Sequence, residues 1–217
     1  MILRTKTLWE NGIGNAWLRT NVHDLGKEDI VSDALAALDI KAESTVLEVG
    51  CSNGWRLKKI QEKYGCTVCG VDPSADAIKA AVESGLDSTT VVRGTADDIR
   101  APDNAFDIVI IGFCLCFIGP EDWVKVVSET ARVLKEGGHL IINDFAGPGR
   151  ITRYPFQRTM VAGKEIPIYI FIYDWPALWL QFPEFKLVSE IHVRKKTHVV
   201  SVLRKSHADI FVGEDVR

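Results

Sequence analysis

No stretch of the 217 residues comes near the roughly 20 apolar side chains that cross a bilayer as a helix. The opening Met1-Ile2-Leu3-Arg4-Thr5-Lys6 lacks the apolar centre of a secretory signal. A basic surplus is missing too: 26 Lys and Arg stand against 29 Asp and Glu, a net charge of −3. Proteins that live on phosphate backbones usually carry the opposite balance, so neither nucleic acid nor membrane is expected as a partner. Repeats and low-complexity segments are absent. Cysteine is scarce and odd in number, five in all, and two fall inside apolar runs. This reads as a cytoplasmic chain without disulfides. What is present is an ordinary globular mixture, 47% hydrophobic and 25% charged. Disordered and collagen-like classes are excluded, and the length suits one domain with a large core.

From Glu28 to Leu38, apolar residues recur at three- and four-residue steps, the mark of an amphipathic helix. Strands and helices then alternate. Strands are expected at Thr45–Val49, Thr67–Val71, Thr89–Val92, Phe106–Ile111 and His139–Phe145. Helices are expected at Leu57–Tyr64, at Ala75–Glu83 with Ser74 as its cap, and from Pro120 to a stop at Gly137-Gly138. Val46-Leu47 and Ile108–Ile111 are apolar without alternation, as strands buried on both faces are. The pattern predicts an α/β fold: a doubly wound, seven-stranded, mostly parallel sheet. Its antiparallel terminal pair is Lys186–Arg194 and Thr197–Leu203, too closely joined for a parallel crossover.

Three segments lie outside this alternation. Residues 1–23 show neither helical nor strand patterning and are expected to form an aromatic-bearing arm before a domain spanning 24–204. Residues 146–174 are expected as a long connection within a substrate-side insertion, 146–182, that also holds a short helix at Trp175–Leu180. Residues 205–217 read as a polar tail, and Arg194-Lys195-Lys196 as a solvated turn.

In open α/β sheets the ligand sits beyond the carboxyl ends of the strands. The first strand ends in Glu48-Val49-Gly50-Cys51-Ser52-Asn53-Gly54, where glycines let a ligand approach the backbone. The second ends at Asp72, 22 residues beyond Gly50, the spacing of an acid that grips a ribose diol. The glycine pattern is not G-x-G-x-x-G, and Glu48 beside the loop would repel a pyrophosphate. An acid there suits a ligand carrying an ammonium group, as S-adenosyl-L-methionine does.

Four segments in order carry a family likeness. Val46–Gly54 resembles the first motif of class I S-adenosylmethionine-dependent methyltransferases, and Gly70-Val71-Asp72-Pro73-Ser74 their ribose motif. Arg93–Ile99 with Pro102–Val109 is similar to the adenine loop and fourth strand, and Leu134–Leu140 to the entry into the fifth. The resemblance spans roughly residues 28–145 plus the terminal strand pair. It implies methyl transfer, by O- or N-methylation, to a small-molecule acceptor such as a sugar or other metabolite, without a metal, by a monomer or homodimer. A looser likeness links the arm and the stretch around Tyr173–Phe185 to methyltransferases accompanying bacterial surface-sugar biosynthesis.

The expected cofactor set is Trp17, Asn21, Glu48, Gly50, Cys51, Gly54, Asp72, Pro73, Thr95, Ala96, Asp97, Gly112 and Phe113. Many family members carry Asp where Thr95 stands, so Thr95, Asp97 or the Ala96 backbone must read the adenine. Phe113 and Trp17 are chosen because an aromatic face attracts a sulfonium. His23 and Asp144 are candidates for a base; Arg150, Arg153 and Asp174 are candidate acceptor contacts. Cys66-x-x-Cys69 lies along one strand, where residues three apart face opposite sides. Two strand spacings, about 9.5 Å, separate it from Cys114 and Cys116, so no zinc site is expected. After the fourth strand stands Ile111-Gly112-Phe113-Cys114, not the Asn/Asp-Pro-Pro-aromatic set that acts on amino groups of DNA bases. Two other readings stay open: a cofactor-binding partner subunit without catalysis, and a nucleotide-binding oxidoreductase.

Overall fold

The computed structural model describes residues 5–23, 25–26, 29–147, 149–193 and 197–206. The start of the arm, the basic turn 194–196 and the tail beyond residue 206 lie outside the described residues.

The elements run α1 (Thr5–Leu8), a π-turn (Trp9–Ile13), α2 (Gly14–Asn21), α3 (Ser32–Ala36), β1 (Thr45–Val49), α4 (Trp55–Tyr64), β2 (Thr67–Asp72) and α5 (Ala75–Glu83). There follow β3 (Val91–Arg93), β4 (Phe106–Gly112), α6 (Trp123–Val133), β5 (Leu134–Phe145), β6 (Thr152–Val161), β7 (Lys164–Ile172), α7 (Pro176–Trp179), β8 (Phe185–Val193) and β9 (His198–Lys205). The main sheet has seven strands in the order β3-β2-β1-β4-β5-β9-β8. Pairing is parallel from β3 through β5, whereas β9 runs antiparallel to both its neighbours. The expected fold class is therefore the observed one.

Strand alternation explains why the sheet is covered on both faces. Leu47, Val49, Val109, Ile111, Leu140 and Ile142 join one buried cluster. Val46, Ile108, Ile110 and Ile141, from the same strands, join the other. Strand order reverses between β1 and β4, which opens a crevice at their carboxyl ends. As the sequence suggests, Ser74 caps α5, its hydroxyl accepting from the Ala77 amide at 3.0 Å.

Several segments depart from the sequence reading. The arm is helical in two pieces, broken at Gly12, which has φ 128°. These helices are held by contacts rather than propensity: a Cβ at Gly14 would lie 3.1 Å from Ser74 Cβ, so glycine lets α2 lie against the start of α5. The connection after β5 is not loop but a second, two-stranded sheet, β6–β7. Its turn, Ala162-Gly163, has positive φ at both residues, as a two-residue hairpin needs. The helix expected over 28–38 is regular only over Ser32–Ala36. Strand β5 begins at Leu134 rather than His139, so Gly137-Gly138 lies inside a strand instead of ending a helix.

Candidate functional site

A cavity of about 290 Å³ lies at the carboxyl ends of β1, β2 and β4, roofed by α1 and α2. Two acids form its floor. Glu48, at the end of β1, is 2% exposed. Its Oε1 accepts from Arg56 Nη1, and Arg56 Nε donates to Asp29 Oδ1 at 3.1 Å. Its Oε2 has no partner among the described residues. Burial raises the Glu48 carboxyl to about 7, against the lowering pull of Arg56. Asp72, at the end of β2, accepts from the Ser52 amide at 2.9 Å and the Ser74 amide at 2.8 Å, one on each oxygen. Each oxygen keeps a second lone pair. Burial raises this carboxyl to about 6, with the two amides pulling the other way.

The loop between the two acids is shaped by close approach. Gly50 has φ 75°, and a Cβ there would lie 2.9 Å from Cys114 Cβ. The Gly50 and Cys51 amides both donate to Val71 O, at 2.8 and 3.1 Å, tying the loop to β2. Ser52 also has positive φ, 50°, without being glycine, and its buried hydroxyl has no partner among the described residues. Such backbone strain is concentrated at functional sites. Phe113, just past β4, has the same φ of 50°.

On the β3 side, Thr95, Ala96 and Asp97 line the cavity. Lys6 reaches down from the arm to Asp97 at 2.9 Å. Burial works against ionisation of Asp97, but Lys6 and the Thr95 hydroxyl outweigh it and hold the carboxyl below its usual range. Trp9 and Trp17 close the roof over Phe117, with ring centroids 4.9 and 6.3 Å from it. Asn21 lines the same wall, its Nδ2 donating back to Trp17 O at 2.8 Å.

The cavity gathers Trp17, Asn21, Glu48, Gly50, Cys51, Asp72, Pro73, Thr95, Ala96, Asp97, Gly112 and Phe113 from the expected set. It leaves out Gly54, His23 and Asp144. Gly54 is needed for packing: a Cβ there would meet Leu86 Cδ1 at 2.3 Å. His23 is exposed just beyond α2. Asp144 is fully buried and accepts from the Cys116 amide at 3.1 Å and the Phe145 amide at 2.8 Å, so it braces the backbone after β4. Arg153 stacks on Tyr169 outside the cavity, 3.6 Å from the ring centroid, and neither Arg150 nor Asp174 lines it. All five cysteines are free.

Sequence reasoning missed Arg56 and Lys6. Arg56 is two residues past Gly54, where one basic residue in a helix's first turn gives no signal of burial. Also missed was His198 on β9, whose ring stands 5.4 Å from Phe113 and 4.9 Å from Phe145. Phe145 in turn lies 6.3 Å from Phe156 on β6, so a wall of rings extends beyond Phe113.

The arrangement suits a nucleoside joined to an amino acid. Glu48 Oε2 is a buried acceptor awaiting a donor, and the Gly50 cradle would be filled by any Cβ. Comparison with known proteins agrees. Residues 47–142 match the family model described as a methyltransferase domain. A demethylmenaquinone methyltransferase of Listeria monocytogenes is 31% identical over 123 residues, covering 54% of this chain and 51% of the relative. Matches to the first curated relatives span between about half and 61% of their lengths. An S-adenosylmethionine-dependent methyltransferase from Mesorhizobium loti has the same fold, with TM-score 0.62, 15% identity, and coverage of 81% of this chain and 97% of that one. The [4+2]-cyclase SpnF does too, with TM-score 0.69, 15% identity and coverage of 94% and 97%. Among the described residues no helix is long and apolar enough to cross a membrane. Over residues 47–142 the chain thus resembles a methyltransferase domain, and its fold is that of an S-adenosylmethionine-dependent methyltransferase of known structure.

Proposed function

We propose that this protein transfers the methyl group of S-adenosylmethionine to a small-molecule acceptor. The observation that carries this reading is the pair of buried acids at adjacent strand ends, each with acceptor capacity left in one cavity. When bound, the cofactor supplies a methyl group on a positively charged sulfur, activated for in-line displacement. Asp72 accepts both ribose hydroxyls while its amide partners fix its orientation. Glu48 accepts the ammonium of the amino-acid end. Thr95, Ala96 and Asp97 flank the adenine. Trp9, Trp17 and Phe117 exclude water, which keeps the nucleophile and the methyl group at near-attack distance.

The acceptor side is better suited to a flat, apolar molecule than to a sugar. From Phe113 in the cavity wall, Phe145 and Phe156 extend an aromatic surface outward, and the arginines and acid expected as acceptor contacts do not line the cavity. The name of the Listeria relative points the same way, to a quinone-type acceptor. On this reading His198, beside Phe113, takes the acceptor's proton. A labelled-methyl assay tests the whole reading. Phenols, naphthols, hydroxyquinones, sugars and amines are offered with methyl-labelled S-adenosylmethionine. Label in an aromatic hydroxyl compound supports the reading, and label in sugars alone overturns the acceptor class. SpnF, a cyclase on this fold, favours one second reading: cofactor binding without methyl transfer. Saturable S-adenosylhomocysteine binding with no label in any acceptor would select it.

A further inference from the structure

Arg56 is 4% exposed, and three other segments converge on it. It stands in the first turn of α4, beside the Trp55 ring, whose centroid is 4.5 Å from its guanidinium carbon. Nε is held by Asp29, from the segment before α3, at 3.1 Å, and Nη1 is held by Glu48 on β1. Gly112, at the end of β4, leaves room for it: a Cβ there would lie 3.0 Å from Nη1. A buried cation so placed can occupy both oxygens of a carboxylate, as arginine–carboxylate forks do. Here it takes only Oε1, and Oε2 stays unpartnered among the described residues in a side chain that lines the cavity.

We propose that Arg56 is a positioning residue for ligand recognition: by holding one oxygen of Glu48 it aims the other at the cavity and supplies the positive charge that lets the carboxylate stay ionised there. The crevice then selects ligands that carry an ammonium group. This rests on the cofactor reading above. The charged and titratable groups around Glu48 are few. Arg56, from α4, favours its ionised form; Asp29, and Asp72 at the end of β2, oppose it. The thiols of Cys51 and Cys114 also face it, both held neutral by burial. With burial included, the carboxyl sits at about 7. Removing Arg56 leaves burial and two like charges, all pushing the carboxyl upward. Removing the charge of Asp29 takes away one of the opposing groups and pushes it down.

The test compares two probes in calorimetry between pH 5.5 and 8.5. S-adenosylhomocysteine carries the ammonium; 5′-methylthioadenosine has the same nucleoside and sulfur without it. In the wild type, affinity for S-adenosylhomocysteine falls as pH drops through about 7, whereas affinity for methylthioadenosine holds until pH nears 6, where Asp72 takes up a proton. Arg56→Met weakens S-adenosylhomocysteine about tenfold at pH 7 and moves its midpoint up, by one pH unit or so. Asp29→Asn moves the midpoint down. Arg56→Lys keeps the charge and restores most of the affinity. Methylthioadenosine binding stays within about twofold in all three, as expected of contacts made elsewhere in the cavity. Parallel loss of both probes in Arg56→Met, or midpoints moving the same way in Arg56→Met and Asp29→Asn, would overturn the proposal. Should Arg56→Met fail to fold, the Asp29→Asn shift alone decides it. A wild type that binds neither probe defeats the cofactor reading itself.

Discussion

The floor and the roof of the cavity are built on different principles. The floor comes from the ends of three parallel strands, and its acids are locked by backbone amides and a buried arginine. The roof comes from the arm, with the β6–β7 hairpin packed beside it, and it is held by aromatic contacts and partly exposed ion pairs such as Lys6–Asp97 and Arg19–Asp76. Exposed pairs of this sort contribute up to about 1 kcal/mol each. A rigid floor fixes where a cofactor binds, while a weakly tethered roof can part to admit it and can vary to suit an acceptor.

That contrast is broken most severely at Asp72. Asp72→Ala removes both hydrogen-bond acceptors for a diol and is expected to weaken S-adenosylhomocysteine binding about a hundredfold; calorimetry that shows unchanged affinity would remove the floor from the account. Phe156→Ala probes the hairpin beside the roof. It is expected to raise the acceptor KM about tenfold through lost ring contact, with S-adenosylhomocysteine affinity unchanged in the same preparation. Lys6→Ala is expected to cost less than about fivefold in cofactor affinity, since the pair it breaks is partly solvated.

The floor also predicts a pH signature in stability. Glu48 and Asp72, at about 7 and 6, lie above their ordinary values of 4.5 and 3.8; Asp144, buried against two amides, is also raised to about 6. Groups raised in the folded state contribute stability that is full below their unfolded values and is lost as pH rises through their folded ones. The ligand-free chain is therefore expected to melt at falling temperature from pH 5 to pH 8. Glu48→Gln flattens that slope, and differential scanning calorimetry reads both. A slope of the opposite sign would show that these acids are not buried as described.

The same contrast governs what the sequence discloses. Buried parallel strands advertise themselves as unbroken apolar runs, so β1, β2 and β4 were legible, and with them Glu48, Gly50 and Asp72. The roof was not. Gly12 and Gly14 disguise two short helices, of which α2 is stabilised by packing on α5 rather than by propensity. The hairpin did leave a signal in the period-two run Ile166, Ile168, Ile170 and Ile172. Pro155 and Pro167 within its strands, and an Ala-Gly turn in place of Asn-Gly, obscured it. Asp144 was misread because a carboxylate at a strand end looks the same in sequence whether it meets a ligand or two backbone amides. Arg56 and His198 escaped notice because their burial depends on segments distant in the chain.

One measurement reaches the central claim most directly: a crystal structure of the wild-type chain with S-adenosylhomocysteine. The account predicts the two ribose hydroxyls at hydrogen-bond distance from Asp72 and the ammonium at Glu48 Oε2, beneath Trp17. A nucleoside bound outside this crevice, or a ligand whose amino group points away from Glu48, would contradict it.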